Sequence, residues 1–173
     1  MMRLKALPDV PRWAVVAAHA VPLVVLPSGL WRVGLTFGAP VARVHDQPLG
    51  LAVYQLVLTA VAELLAFLTL GLVREWGEVF PRRLPFLGGR PVSARGATFA
   101  ALSGAFGLAA LTCWFTYVAV SGIAQYSPGN LTESTLQKTL FLVCYLPLAA
   151  WAPLLAAVAI AYRRRRRLTP TRP

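Results

Sequence analysis

Gln55, Thr59 and Glu63 recur at every fourth position of an otherwise apolar run from about Leu49 to Val73. That spacing stacks their side chains on one stripe of a helix. A carboxylate some ten residues inside such a run must be protonated, paired or hydrated, because an isolated charge is costly in hydrocarbon. Glu63 is therefore the sharpest candidate for chemistry, either as a proton or ligand site or as a neutral acid bonded to Thr59 or to a neighbouring helix. His19, in an earlier apolar run, is a candidate partner, although by helix rise it lies about 9 Å from the start of its run against about 15 Å from the end for Glu63. Its plainer role is donation to a carbonyl freed by Pro22. Glu63, His19, Gln55 and Thr59 thus make up a candidate intramembrane polar site. A second candidate, Trp76, Glu78 and Arg82, lies in the connection that follows, within WGEVFPRRLP. Its plain reading is a helix end anchored by a Trp, an ion pair and two prolines, and its alternative is a binding loop.

Other chemistry is scarce. The chain has no CxxC, HExxH, GxSxG, Walker loop or dinucleotide fingerprint, and its two His cannot build a dedicated zinc site without further ligands at suitable spacing. No catalytic residue, metal or cofactor is expected. Cys113 and Cys144 fall at matching depths of adjacent runs, but depth does not fix helix rotation and a disulfide needs Cα atoms about 5.5 Å apart. Free thiols packing as small hydrophobes are the expectation.

The elements that would position these residues are four long apolar runs, and the positive charge is arranged around them. Of 17 Lys and Arg, three precede Trp13, five lie between Val73 and Ala97, and six follow Tyr162. Arg32, Arg43 and Lys138 occupy the other two connections. Alternate connections fall on alternate sides of a membrane, so this is the positive-inside pattern of a polytopic four-helix bundle with cytoplasmic N- and C-termini. With 57% hydrophobic and only 13% charged residues, the chain lacks the polar surface of a soluble domain. A net charge of +11 could suggest nucleic acid, but the arginines flank apolar runs and form no basic face beside a binding motif.

The expected architecture is all-α, a single membrane domain over 1–173 with spans at about 13–31, 49–73, 97–120 and 135–162 and a polybasic cytoplasmic tail at 163–173. A signal peptide ending at Ala18-His19-Ala20 would leave too short an apolar region, and the run continues past it. Pro22 and Pro27 should bend the first helix near Ala18 to Pro22, after which Trp31 and Arg32 are expected at headgroup level. Arg74, Glu78 and Arg82 are four apart, so the second helix is expected to continue about two turns beyond the membrane. Gly96, Ala100 and Gly104, with Ser103 and Gly107, give the third helix small faces that should admit a neighbour closely. Ser134 and Gln137 have capping-box spacing at the start of the fourth, which carries a further small surface in Ala149, Ala152, Ala156 and Ala159.

The stretches LPSGLWR at 26–32 and REWGEVFPRRLPFLGGRPV at 74–92 resemble a group of uncharacterised four-span integral membrane proteins of high-GC actinobacteria. The resemblance implies a bacterial plasma-membrane location and carries no assigned reaction. Three classes of function remain. A structural or accessory protein acting through partner helices or lipid, in a homo- or hetero-oligomer and with anionic headgroups at Arg163 to Arg167, fits small-residue faces without a reaction motif. A small proton-coupled transporter would use Glu63, His19 and the Gln55–Thr59 stripe. A membrane enzyme acting on a lipid or quinone would need a nucleophile and base that are not recognisable here.

The charge pattern makes a direct forecast. Single cysteines placed near Val92 and after Arg167 should be labelled only once cells are opened, and cysteines near Gln47 and Gly129 should be labelled on intact cells. A Gly129 site reached only after lysis inverts the topology.

Overall fold

Apolar side chains on every face of a helix leave hydrogen bonding within the backbone as the way to satisfy its polar groups in lipid, and long helices follow. The computed structural model describes residues 9–42, 48–77, 89, 92–121, 132 and 134–168. Helix α1 spans Arg12–Thr36 and α2 spans Leu49–Thr69, extended by a 3-10 turn at Leu70–Val73. A second 3-10 turn covers Glu75–Gly77. Helix α3 spans Ala94–Ser121. The fourth span is made of α4, Thr135–Tyr145, a 3-10 turn at Leu146–Ala150, and α5, Trp151–Leu168. Four segments, Arg12–Thr36, Leu49–Val73, Ala94–Val118 and Thr135–Leu168, are long and apolar enough to cross a membrane. A 25-residue helix is about 37 Å long, enough for a hydrocarbon layer of about 30 Å. Large apolar side chains such as Leu23, Leu30 and Phe106 point away from the bundle, the arrangement expected where the solvent is lipid.

The ends of α1, α2 and α5 gather at one end of the bundle, where Ala14, Val73, Val158 and Tyr162 come together. We call this end the base. Helix α1 is the hub. It packs against α2 on one side and α4 and α5 on the other, while α3 packs chiefly on α5. Its buried residues Ala14, Ala17, Ala18, Val21, Val25, Ser28, Gly29, Trp31 and Leu35 follow helical spacing. Ala17 and Ala18 meet Leu70, Val73 and Val158 near the base, and Val21 and Val25 meet Ala66, Ala105, Trp151 and Leu155 in the middle. Trp31 and Leu35 close the far end with Ala42, Phe141 and Tyr145.

The structure differs from the sequence reading at three places. First, α1 runs unbroken through Pro27, Ser28 and Gly29 to Thr36, and Trp31 is buried against Phe141 and Tyr145 while Arg32 faces inward toward α2. One residue after Pro27, Ser28 Oγ donates to the Val25 carbonyl at 2.8 Å. Second, the second helix stops at the base. Arg74 is extended (φ −119°, ψ 156°), and Trp76 folds back over Gly71 and stacks on Phe67 with ring centroids 5.7 Å apart. Third, the small faces of α3 turn outward. Gly96, Ala100, Ser103 and Gly104 are exposed, a Cβ built on Gly107 would meet no neighbouring side chain or helix within 4 Å, and among the described residues of α3 the buried ones are Thr98 and Ala105. Small residues permit a close approach but do not compel one.

Other local signals hold. Ser134 Oγ accepts from the Gln137 N–H at 3.2 Å and Gln137 Oε1 accepts from the Ser134 N–H at 3.4 Å, a complete capping box. Gln137 Nε2 also donates to the Pro40 carbonyl at 3.1 Å, tying the start of α4 to the chain leaving α1. Within the alanine surface of the fourth span, Ala152 and Ala159 are buried and Ala149 is exposed. Cys113 and Cys144 are both free thiols.

The closest backbone approach is at the base, where a Cβ on Gly77 would collide with the backbone of Gly71. Gly77→Ala should therefore lower stability in mild detergent by about 1–3 kcal/mol. Gly107→Ala, which enters open space, should stay within about 0.5 kcal/mol of the parent. Thermal unfolding of the two variants side by side checks both values, and equal melting would contradict the Gly71–Gly77 contact.

Candidate functional site

Two polar stripes with the same spacing meet between α1 and α2. On α1, Ser28, Arg32 and Thr36 are four apart, and on the antiparallel α2 the corresponding residues are Gln55, Thr59 and Glu63. Arg32 lies at their centre. Its Nη1 donates to Thr59 Oγ1 at 3.1 Å, its Nη2 to Ser28 Oγ at 3.2 Å, and its Nε to the Tyr145 hydroxyl of α4 at 3.4 Å. Thr36 Oγ1 donates to the Arg32 carbonyl at 2.9 Å and has Gln55 Oε1 at 3.4 Å.

The acceptors are set up by their own helices. Thr59 Oγ1 gives its proton to the Gln55 carbonyl at 2.8 Å, and Ser28 Oγ gives its proton to the Val25 carbonyl. Both hydroxyls are left presenting lone pairs to the guanidinium. The Arg32 guanidinium carbon stands 5.9 Å from the centroid of the Tyr145 ring, within cation–π range. Tyr145 stacks on Phe141 at 4.4 Å, and Trp31 meets both rings edge-on at 5.4 Å. One cation thereby joins α1, α2 and α4.

Glu63 sits one turn further into the bundle than Thr59. A Cβ on Gly29 would stand 3.1 Å from both Glu63 Oε1 and Thr59 Cγ2, so the glycine lets α1 lie close to the polar side of α2 and a larger residue would have to push these side chains back. Glu63 Oε1 is buried and has no hydrogen-bond partner. Thr59, whose proton is committed to Gln55 and whose lone pair is taken by Arg32, does not supply one.

His19 belongs to another place. Gly29, which Glu63 touches, is ten residues along α1 from His19, about 15 Å of helix. Near the base, His19 Nδ1 is 2.7 Å from the Val15 carbonyl and Arg74 Nη2 is 2.9 Å from His19 Nε2. Arginine can only donate, so the ring accepts at Nε2 and donates from Nδ1 to Val15. The carbonyl it uses is that of Val15, three residues before Ala18, and not the Ala18 carbonyl that Pro22 frees. Trp76 lies beside this contact against Gly71 and Phe67, whereas Glu78 and Arg82 lie outside the described residues. The structure thus brings Gln55, Thr59 and Glu63 together on one stripe and sets His19 and Trp76 apart near the base.

Sequence reasoning missed Ser28, Gly29, Arg32 and Tyr145. The signal for Ser28 and Arg32 was present: with Thr36 they repeat the spacing of four seen on α2, but only if the helix is carried through Pro27. Among the described residues, no three His, Cys, Asp or Glu side chains gather as a metal site would require. Chemically the arrangement is a clamp, with a guanidinium that donates from all three of its nitrogens to protein hydroxyls and an adjacent carboxyl held against a glycine. The chain matches no known protein family, no curated protein and no solved structure with which it was compared.

Arg32→Met removes the donor shared by Ser28, Thr59 and Tyr145 and should destabilise the protein by about 2–4 kcal/mol, since charge-assisted bonds contribute about 1.5–3 kcal/mol each and the two hydroxyls keep their own carbonyl bonds. Arg32→Lys should rescue less than half of that loss, because an ammonium cannot reproduce the planar fork. Thermal unfolding in mild detergent measures both, and a Lys variant as stable as the parent would show that charge alone suffices.

Proposed function

We propose that the chain is an integral protein of a bacterial plasma membrane, with both termini cytoplasmic, working as a structural or accessory component through contacts with partner helices or lipid. The observation that carries this reading is the packing at Gly29. A Cβ there would stand 3.1 Å from Glu63 Oε1 and Thr59 Cγ2, so at this level the polar sides of α1 and α2 are in contact, with no gap for a solute between Gly29 and Glu63. The small residues of α3 support the same reading from the outside. Gly96 and Ala100 are exposed, and Gly104, whose Cβ direction meets only Leu155 at 4.0 Å, is exposed too, on a helix that another helix could approach closely, in a homo- or hetero-oligomer. The concentration of Lys and Arg around the base favours a cytoplasmic base, and Arg163 to Arg167 suit anionic headgroups there. The resemblance of 26–32 and 74–92 to actinobacterial membrane proteins favours the bacterial location.

One observation favours a second reading. Glu63 Oε1, buried and unpartnered, would suit a proton-coupled carrier in which that oxygen takes up and releases a proton. Flux decides between the two. In liposomes under a pH gradient, the parent should pass no more protons than empty vesicles, and Glu63→Gln should keep the parent's stability to within about 0.5 kcal/mol. Proton flux through the parent that Glu63→Gln abolishes would replace the accessory reading with the carrier. Affinity purification in mild detergent should meanwhile recover a stoichiometric helical partner or a second copy.

A further inference from the structure

On α3, Arg95, Phe99, Leu102 and Phe106 follow one another at steps of four, three and four, which places them on a single face. Together with Arg163 of α5 they line a groove of about 550 Å³, within the range of small-molecule sites. The groove has a polar end and an apolar length. Arg95 lies one residue inside the start of α3, and Arg163 lies in the last turns of α5, so both cations stand at the base. From Arg95 to Phe106 is eleven residues, about 16 Å of helix, or roughly half of a 30 Å hydrocarbon layer. The groove therefore reaches from one membrane surface to about the middle of the bilayer, the depth of one leaflet.

The side chains are open to an occupant. Phe99 is 75% exposed and Phe106 is 78% exposed. Among the described residues, neither Arg95 nor Arg163 donates a hydrogen bond, in contrast to Arg166, whose Nη2 is bound to the Val92 carbonyl at 3.1 Å. Two free guanidiniums above an apolar, leaflet-deep channel are complementary to a molecule with an anionic head and a hydrocarbon tail. Guanidinium forks match phosphate oxygens in geometry as well as charge.

We propose that this groove holds an anionic glycerophospholipid, its phosphate between Arg95 and Arg163 and one acyl chain laid along Phe99, Leu102 and Phe106. The proposal rests on the reading that the base lies at a bilayer surface. It goes beyond a diffuse attraction of the Arg163–Arg167 run for anionic headgroups by naming two arginines, one on each of two helices, and an apolar channel that must act together.

The test uses the full chain reconstituted in nanodiscs of phosphatidylcholine with phosphatidylglycerol as the minor component, with retained lipid counted by native mass spectrometry after release. The parent should keep one phosphatidylglycerol and discriminate against phosphatidylcholine. Arg95→Gln with Arg163→Gln should lower that retention by about tenfold or more, each lost cation counting for about 1 kcal/mol at a membrane surface. Leu102→Trp, which narrows the channel and leaves both charges in place, should also lower retention. Arg164→Gln with Arg167→Gln should retain lipid like the parent. Equal loss in that control pair, full retention without Arg95 and Arg163, or a second protein copy in place of the lipid would each overturn the proposal. Alkaline extraction of the same preparations separates the two levels. A chain that leaves the membrane at high pH fails the spanning reading, whereas an inserted chain that keeps no phosphatidylglycerol fails only the groove.

Discussion

The Arg32 guanidinium is the constraint around which the far end of the bundle is arranged. A cation drawn partly out of water must regain from the protein the hydrogen bonds that it gives up. Here the acceptors are hydroxyls from two spans besides its own, Thr59 of α2 and Tyr145 of α4, together with Ser28 one turn back on α1. Each bond fixes a rotation. With Arg32 turned toward Thr59, Gly29 is aimed at Glu63, and Trp31, the next residue round the helix, is delivered into the pocket of Phe141 and Tyr145. The tight glycine contact and the aromatic cluster are thus consequences of one orientation of α1.

The opposite end handles its cation differently. Arg74 leaves helical geometry altogether, and its extended backbone between two short 3-10 turns lets the side chain reach back to His19. The same reversal folds Trp76 over Gly71, where its ring covers a stretch of helix that has no side chain of its own. A residue with a Cβ at either glycine would hold the two segments apart. The end of the second span is therefore decided by backbone proximity, which a spacing of charged residues cannot report.

How much of this was legible in the sequence follows from the solvent. The four spans, the capping box at Ser134 and the stripe of Gln55, Thr59 and Glu63 could be read because each depends on local composition or on spacing within one helix. Which helix is the hub could not. In water the buried face of a helix is its apolar face, but in lipid both faces are apolar and hydropathy carries no information about rotation. The glycines and alanines of α3 invite the inference of an interior helix, and its Phe99 and Phe106 look outward regardless. Helix α1 gave a weaker sign through Ala14, Ala17 and Ala18, and two prolines obscured its length. Arg32 was the largest loss, because ending the first span at Trp31 separated it from the stripe that it completes.

The 3-10 turn at Leu146–Ala150 acts as a phase shifter within the fourth span. An α-helix advances about 100° per residue and a 3-10 helix about 120°, so five residues in the tighter form add about 100° of rotation between the two halves. Upstream of the turn, Phe141 and Tyr145 address α1 and the chain leaving it at Ala42. Downstream, α5 must address α1 through one side and α3 through another, and α3 has little else to hold it in the bundle. Pro147, which lacks an N–H, stands where the helical ladder changes register. A single apolar segment is in this way given two azimuths, and the third span owes its place in the molecule to that change of angle.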